Sequence, residues 1–336
     1  MDFLSNYALF LVKFTTSIVL ILFGLIAILA IATKNKKTQT GKISITNIND
    51  KYDDVALTLQ QELLSSKKFK AKMKQVQKAQ KEEQKKGAIK NKIFVISFDG
   101  DIKASQVTQL REVITAILMV ATPEDEVLIK LESPGGLVHA YGLAASQLAR
   151  IREKGIPLTV TVDKVAASGG YMMACVANKI VAAPFAIIGS IGVLIQLPNF
   201  HRLLKHHHID FEQLSAGEFK RTLTVFGENT SKGRKKMQEE IEVTHDIFKD
   251  FIKRNRPILD VDHIATGEYW LAQKAYELRL VDHISTSDDY LLEAKDKHNI
   301  FEVTYEQKKS LAEKISRGSS KIIDSVIARL AKPEHY

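Results

Sequence analysis

From Ile93 to Ile284 short runs of β-branched and aromatic residues alternate with amphipathic stretches, and this order limits the possible folds more than any other feature. Ile93–Phe98 reads as a strand that stops at Asp99-Gly100, Ser105–Val120 as a helix and Val127–Leu131 as a second strand. Ala140–Arg150 is helical, Leu158–Val162 is a third strand, and Gly169–Ala177 is a helix again. Short strands are expected at Lys179–Ala183, Ile191–Leu197, Phe211–Leu214 and Val281–Ile284. Ser231–Arg254 predicts a long helix ending before Pro257, which cannot continue it, and Leu271–Leu278 a shorter one. Strands that alternate with helices are joined by crossovers, so the fold class is α/β with a largely parallel sheet.

Ahead of this domain lies a twenty-residue run without charge, Phe14 to Thr33, long enough to cross a hydrocarbon core as a helix. A cleaved secretory signal is the competing reading. The first six residues carry no Lys or Arg and the run is long for a signal peptide, which favours an uncleaved anchor. Lys34, Lys36, Lys37 and Lys42 follow the run, and only Lys13 precedes it, so the positive-inside rule puts the remainder in the cytoplasm. A second uncharged stretch, Ile180 to Asn199, holds Pro184, Gly189, Gly192 and Pro198 and suits a buried strand-turn-strand better than a membrane helix.

Residues 67–92 contain eleven lysines against Glu82 and Glu83, an excess equal to the whole formal charge of +9. The folded remainder is close to neutral, which argues against a nucleic-acid-binding face. The basic stretch reads as a solvated helical arm, a form compatible with contact to anionic lipid headgroups. The single cysteine, Cys175, excludes internal disulfides and is expected to be a buried structural thiol.

Chemistry concentrates at two turns. Val162–Tyr171 passes from a strand through small residues into a helix, with Ser168 at the bend. That is the layout of a nucleophile elbow, although Ala-Ser-Gly-Gly also makes ordinary turns. Glu132-Ser133-Pro134-Gly135-Gly136 follows another strand, where exposed N–H groups can form half of an oxyanion hole or a plain Pro-Gly turn. A serine nucleophile needs a base. His139 follows the double glycine without an identifiable acidic partner, and His206-His207-His208 reads as a solvated helix end rather than a metal site. A lysine serves equally if burial lowers its pKa, and composition does not choose among so many.

The run of Ser-Pro-Gly-Gly, Asp-Lys-Val-Ala-Ala-Ser-Gly-Gly-Tyr, Gly-Ser-Ile-Gly-Val and Ser-Ala-Gly-Glu-Phe-Lys-Arg-Thr resembles the signal peptide peptidase A family of serine peptidases. The resemblance runs from the anchor to about Ile284. It implies a Clp protease/crotonase-like fold of repeated β-β-α units, and a Ser-Lys dyad with Ser168 as nucleophile and Lys220 as general base. It implies that Ser190 orients the lysine, that the Gly136 and Gly169 N–H groups form the oxyanion hole, and that neither metal nor cofactor takes part. It also implies a homo-oligomer at a bacterial inner membrane with a periplasmic catalytic domain, which conflicts with the lysines after Thr33.

The expected organisation is therefore an anchor over 1–33, a basic helical arm over 34–92, a peptidase domain over 93–290 and an extension over 291–336 with a strand and a basic amphipathic helix. The expected activity is endopeptidase action on peptides or unfolded segments, remnant signal peptides among them. Two alternatives remain: a crotonase-like acyl-CoA enzyme, which would leave Ser168 and Lys220 idle, and a non-enzymatic membrane scaffold. A Ser-His-Asp triad would need a histidine just after Gly189-Ser190-Ile191-Gly192, where Val193 and Leu194 stand instead.

Overall fold

The computed structural model describes residues 7, 9–20, 24, 41–86 and 90–306. The chain forms two units, Met1–Lys42 with Glu306–Tyr336, and Ile43–Tyr305. In the first, residues 9–20 are helical, and the hydroxyls of Thr15, Thr16 and Ser17 donate to carbonyls one turn back. Among the described residues no helix is long and apolar enough to cross a membrane. Most of the expected anchor beyond residue 20, and the amphipathic helix expected in the C-terminal extension, lie outside the described residues.

The second unit is built on a seven-stranded sheet in the order β1 (Lys42–Asn47), β10 (Asn299–Glu306), β2 (Lys92–Asp99), β3 (Glu126–Glu132), β4 (Leu158–Val162), β6 (Lys179–Ala182) and β9 (His283–Ile284). Every pairing from β10 to β9 is parallel. A parallel sheet is covered on both faces, so both faces of its strands are buried, and β4 is buried at all five positions, Thr159 and Thr161 included. Side chains of β2 alternate between faces. Phe94, Ile96 and Phe98 join the main core under α3 (Val107–Leu118) and α4 (Val138–Glu153), while Ile93 and Val95 join a smaller cluster with Leu128, Ile300, Leu291 and Ile48 of α1 (Ile48–Leu63). The mixed α/β architecture is the one the alternation predicts.

The Ile43–Tyr305 unit takes in residues ahead of Lys92. β1 was not foreseen, and Asn49 in the first turn of α1 donates to the carbonyls of Lys295 and His298 and accepts from Ile300 N–H. The basic stretch is helical as expected, as α2 (Ser66–Lys86).

A second, three-stranded sheet carries the chemistry. β5 (Val165–Ala167) pairs in parallel with β7 (Ile187–Gly189), and β7 pairs antiparallel with β8 (Tyr269–Leu271). Two expected strands are corrected. Ile191–Leu197 is irregular, because Gly189 and Ser190 both take positive φ (104° and 50°) and end the strand before it. Phe211–Leu214, which follows a short helix α6 (His201–His206), is irregular too: among the described residues no strand pairs with it, and Leu214 is 97% exposed.

Candidate active site

Ser168 sits where β5 turns into the short helix α5 (Gly169–Ala174), with φ 53° and ψ −117°. A serine in that region is strained by about 1–3 kcal/mol and needs support from its surroundings. The Ser168 N–H donates to Gly189 O at 2.7 Å, and its carbonyl accepts from Met172 N–H at 2.9 Å. Both backbone groups are thus engaged, and the half-buried side chain projects from a fixed bend.

A second loop lies against this bend. Ser133 extends β3 and bridges to Ala166, accepting from Ala167 N–H at 3.0 Å and donating to Val165 O at 2.8 Å. Gly135 then takes φ 90°. A Cβ there would lie 2.7 Å from Ala167 O and 2.8 Å from Gly169 N, so only glycine lets the two backbones meet.

Tyr141 of α4, fully buried, holds both loops. Its hydroxyl donates to Asp101 O at 2.8 Å and lies 2.6 Å from Ser133 Oγ. A phenol has one proton, so Ser133 Oγ–H donates to Tyr141, and Ser133 Oγ accepts from Gly135 N–H at 3.1 Å. Burial raises the Tyr141 pKa further, which keeps the phenol neutral. The same ring packs on Gly169 so closely that a Cβ there would collide with it. Sequence reasoning passed over Ser133 and Tyr141. Ser133 lay inside a quoted motif, but its partner is on another element.

Ser168, Gly136 and Gly169 line one cavity of about 20 Å³. Among the described residues, neither the Gly136 N–H nor the Gly169 N–H donates to a protein acceptor. Two unspent donors beside a serine hydroxyl form a place where negative charge on a tetrahedral oxygen would be stabilised. Ser190 follows the residue that accepts from Ser168 N–H, and its own N–H donates to Glu268 O at 2.6 Å.

Lys220 is not brought to this place. It is exposed and lines a separate open cleft of about 740 Å³ with Leu197, Phe211 and Phe226. The residues just before it are held by α7 (Ser231–Asn255): Glu218 pairs with Lys232, and the amines of Lys232 and Lys236 lie over the Phe219 ring at 5.7 and 5.6 Å. Among the described residues Ser168 Oγ, Ser190 Oγ and Lys220 Nζ have no hydrogen-bond partner. His139 and His206-His207-His208 are exposed, and Cys175 is buried with its thiol pKa driven up by desolvation.

Sequence profiles described as Peptidase family S49 N-terminal and Peptidase family S49 match residues 2–148 and 150–300. A relative named probable protease SohB, from Haemophilus influenzae, is 49% identical over 98% of this chain and 96% of its own length. The chain belongs to peptidase family S49. Within S49 it falls with the SohB proteases, in line with its resemblance to the signal peptide peptidase A family. Another relative, a putative signal peptide peptidase SppA of Enterococcus faecium, is 29% identical over 53% of this chain and 52% of that protein. Among solved structures, a substrate-peptide complex of the membrane-bound stomatin-specific protease 1510-N matches 67% of this chain and 96% of its own, with a TM-score of 0.41 and 15% identity.

Proposed function

We propose that this S49 protease is a membrane-anchored serine endopeptidase that uses Ser168 as nucleophile and Lys220 as general base. The observation that carries the proposal is the strained Ser168 turn, facing a cavity shared with the unspent N–H groups of Gly136 and Gly169. A neutral Lys220 amine takes the proton as Ser168 Oγ attacks the carbonyl, and the oxyanion accepts from Gly136 and Gly169. The amine returns the proton to the departing nitrogen, and then activates the water that cleaves the acyl-enzyme. Ser190, next to the Gly189 whose carbonyl accepts from Ser168 N–H, orients the amine.

With Lys220 exposed, the segment carrying it has to fold over the Ser168 cavity before chemistry begins. The segment's bare apolar surface, with Leu194 73% and Leu214 97% exposed, supports a homo-oligomer whose copies cover it. The parallel sheet and its small partner sheet suit a Clp/crotonase-like framework. The charge-free run 14–33 supports a bacterial inner-membrane anchor. The periplasmic side follows the family, against the lysines that flank the run. Substrates are peptides and unfolded segments, including remnant signal peptides. No metal or cofactor has a role in this mechanism.

The test compares the full-length protein with Ser168→Ala and Lys220→Ala on an unstructured apolar peptide. Each variant is expected to lose at least about a thousandfold in kcat while staying folded. An amine accepts a proton only when uncharged, so wild-type activity should rise towards alkaline pH. Undiminished cleavage by Lys220→Ala, or a flat pH profile, sinks the lysine-base mechanism.

A further inference from the structure

The strained Ser168 turn leans on a strand end that is itself strained. Ser168 N–H donates to Gly189 O at 2.7 Å, and Gly189 and Ser190 both take positive φ, 104° and 50°. Neither residue holds that shape by itself. Glycine visits it along with many other conformations, and serine adopts it only at a cost. Support therefore has to come from a neighbour.

The neighbour is the segment 266–271. Its β8 part pairs antiparallel with β7, Ile187 with Leu271, Ile188 with Trp270 and Gly189 with Tyr269. Beyond the ladder the two chains stay tied. Ser190 N–H donates to Glu268 O at 2.6 Å, and Gly267 N–H donates to Ile191 O at 3.0 Å. Trp270 adds a side-chain contact. A Cβ on Gly189 would lie 2.8 Å from Trp270 Cε3 and 2.9 Å from Cζ3, so the six-membered ring of the indole fills the space a side chain would need. The ring is half-buried and packs against the main core, which fixes it in turn.

A peptide group beside glycine turns over easily, because no side chain blocks the alternative arrangement. With the indole against its Cα, Gly189 keeps its carbonyl on Ser168 N–H, and Ser168 keeps its place beside the Gly136 and Gly169 N–H groups. We propose that Trp270 is a positioning residue for Ser168, acting through the Gly189 peptide. This inference rests on the Ser168 mechanism proposed above.

The test compares full-length wild type in detergent micelles with Trp270→Ala and Trp270→Leu. Leucine keeps apolar bulk against the core and removes only the flat ring over Gly189, which guards against a variant that fails to fold. Three quantities are read for each protein: peptide cleavage kinetics, the rate at which a fluorophosphonate labels Ser168, and a thermal melt. Both rates are taken below the lowest melting midpoint. Misplacement of a reacting group by about 1 Å costs about a hundredfold, so kcat and the labelling rate should fall together by about tenfold to a hundredfold. KM should stay within about twofold, because the ring acts on the nucleophile rather than on substrate binding. A purely packing role would lower Tm and leave both rates of the folded protein unchanged.

Folded variants with the wild-type kcat and labelling rate overturn the positioning role. So does a loss confined to KM. If wild-type Ser168 is labelled and Ser168→Ala is inactive while both Trp270 variants cleave at full rate, the positioning role alone falls. Undiminished cleavage by Ser168→Ala, with no labelling of the wild type, removes the Ser168 mechanism and the inference with it.

Discussion

Replacing Tyr141 with phenylalanine keeps a ring of nearly the same shape against Gly169 and removes one buried hydroxyl. That hydroxyl ends the chain Gly135 N–H to Ser133 Oγ to Tyr141 to Asp101 O, with spacings of 3.1, 2.6 and 2.8 Å. Asp101 is exposed, so its carbonyl can turn to water, whereas Ser133 is buried and its hydroxyl proton loses its acceptor. A buried polar group left unpaired costs about 1–3 kcal/mol. For a domain of this size that lowers Tm by about 2–4 °C per kcal/mol, or between about 2 and 12 °C. If Ser133 rotates to find another acceptor, it releases Gly135 N–H, and Gly136 moves with it. Loss of one oxyanion donor costs about 10²–10³ in kcat, so a partial displacement should cost about tenfold to a hundredfold. KM should stay within about twofold, because the donor acts on charge that develops in the transition state. Peptide cleavage kinetics beside a thermal melt reads both quantities. Ser133→Ala should act through the same chain, so the double variant should fall well short of the summed single effects. Full kcat in Tyr141→Phe with a lowered Tm would refute the assignment and leave Tyr141 a packing residue.

Arg256 is a second buried control point: it donates to Asp282 at 2.7 and 2.8 Å and to Arg279 O at 2.9 Å. Arg256→Met leaves Asp282 without its cation and should cost about 3 kcal/mol, seen as a lower midpoint in urea unfolding; an unchanged midpoint would contradict this. At Asp125 burial opposes ionisation, but hydrogen bonds from Thr122 N–H and Lys92 N–H outweigh it, and the carboxyl pKa lies below its usual value. Its stabilisation is complete above the unfolded-state value of about 4 and is lost as pH falls through the lower native value. Asp125→Asn should therefore flatten the acid limb of the stability curve, and an acid limb identical to wild type would exclude Asp125 as its source.

The strands of the parallel sheet were legible because burial on both faces fills Ile93–Phe98, Val127–Leu131 and Leu158–Val162 with β-branched, aliphatic and aromatic residues, interrupted only by Ser97 and Lys130. A short loop of small residues marks the Ser168 turn. Ile191–Leu197 and Phe211–Leu214 carry strand-like composition, but a strand also needs a neighbour, and chain pattern does not reveal one. The hydrogen bonds around Ser133 were hidden for a related reason. Tyr141 follows by eight residues and Asp101 lies forty residues before Tyr141, on separate elements. Lys220 entered through the family motif rather than through local physics, and nothing in the sequence indicates that Glu218 and Phe219 dock it on α7. β8 escaped notice because three residues are too few to show a period, and β1 because it stands ahead of the Ile93–Ile284 alternation, inside the expected helical arm.

Cys175, sealed in the core with a raised thiol pKa, offers a practical handle. It is the sole cysteine and does not present a reactive thiolate, so the natural protein already behaves as a background without labelling sites. A cysteine introduced at Leu214 or Glu228 would be the one position open to a spin label or fluorophore. The mobility of such a probe would then follow the Lys220 segment as substrate arrives, with no other substitution in the chain.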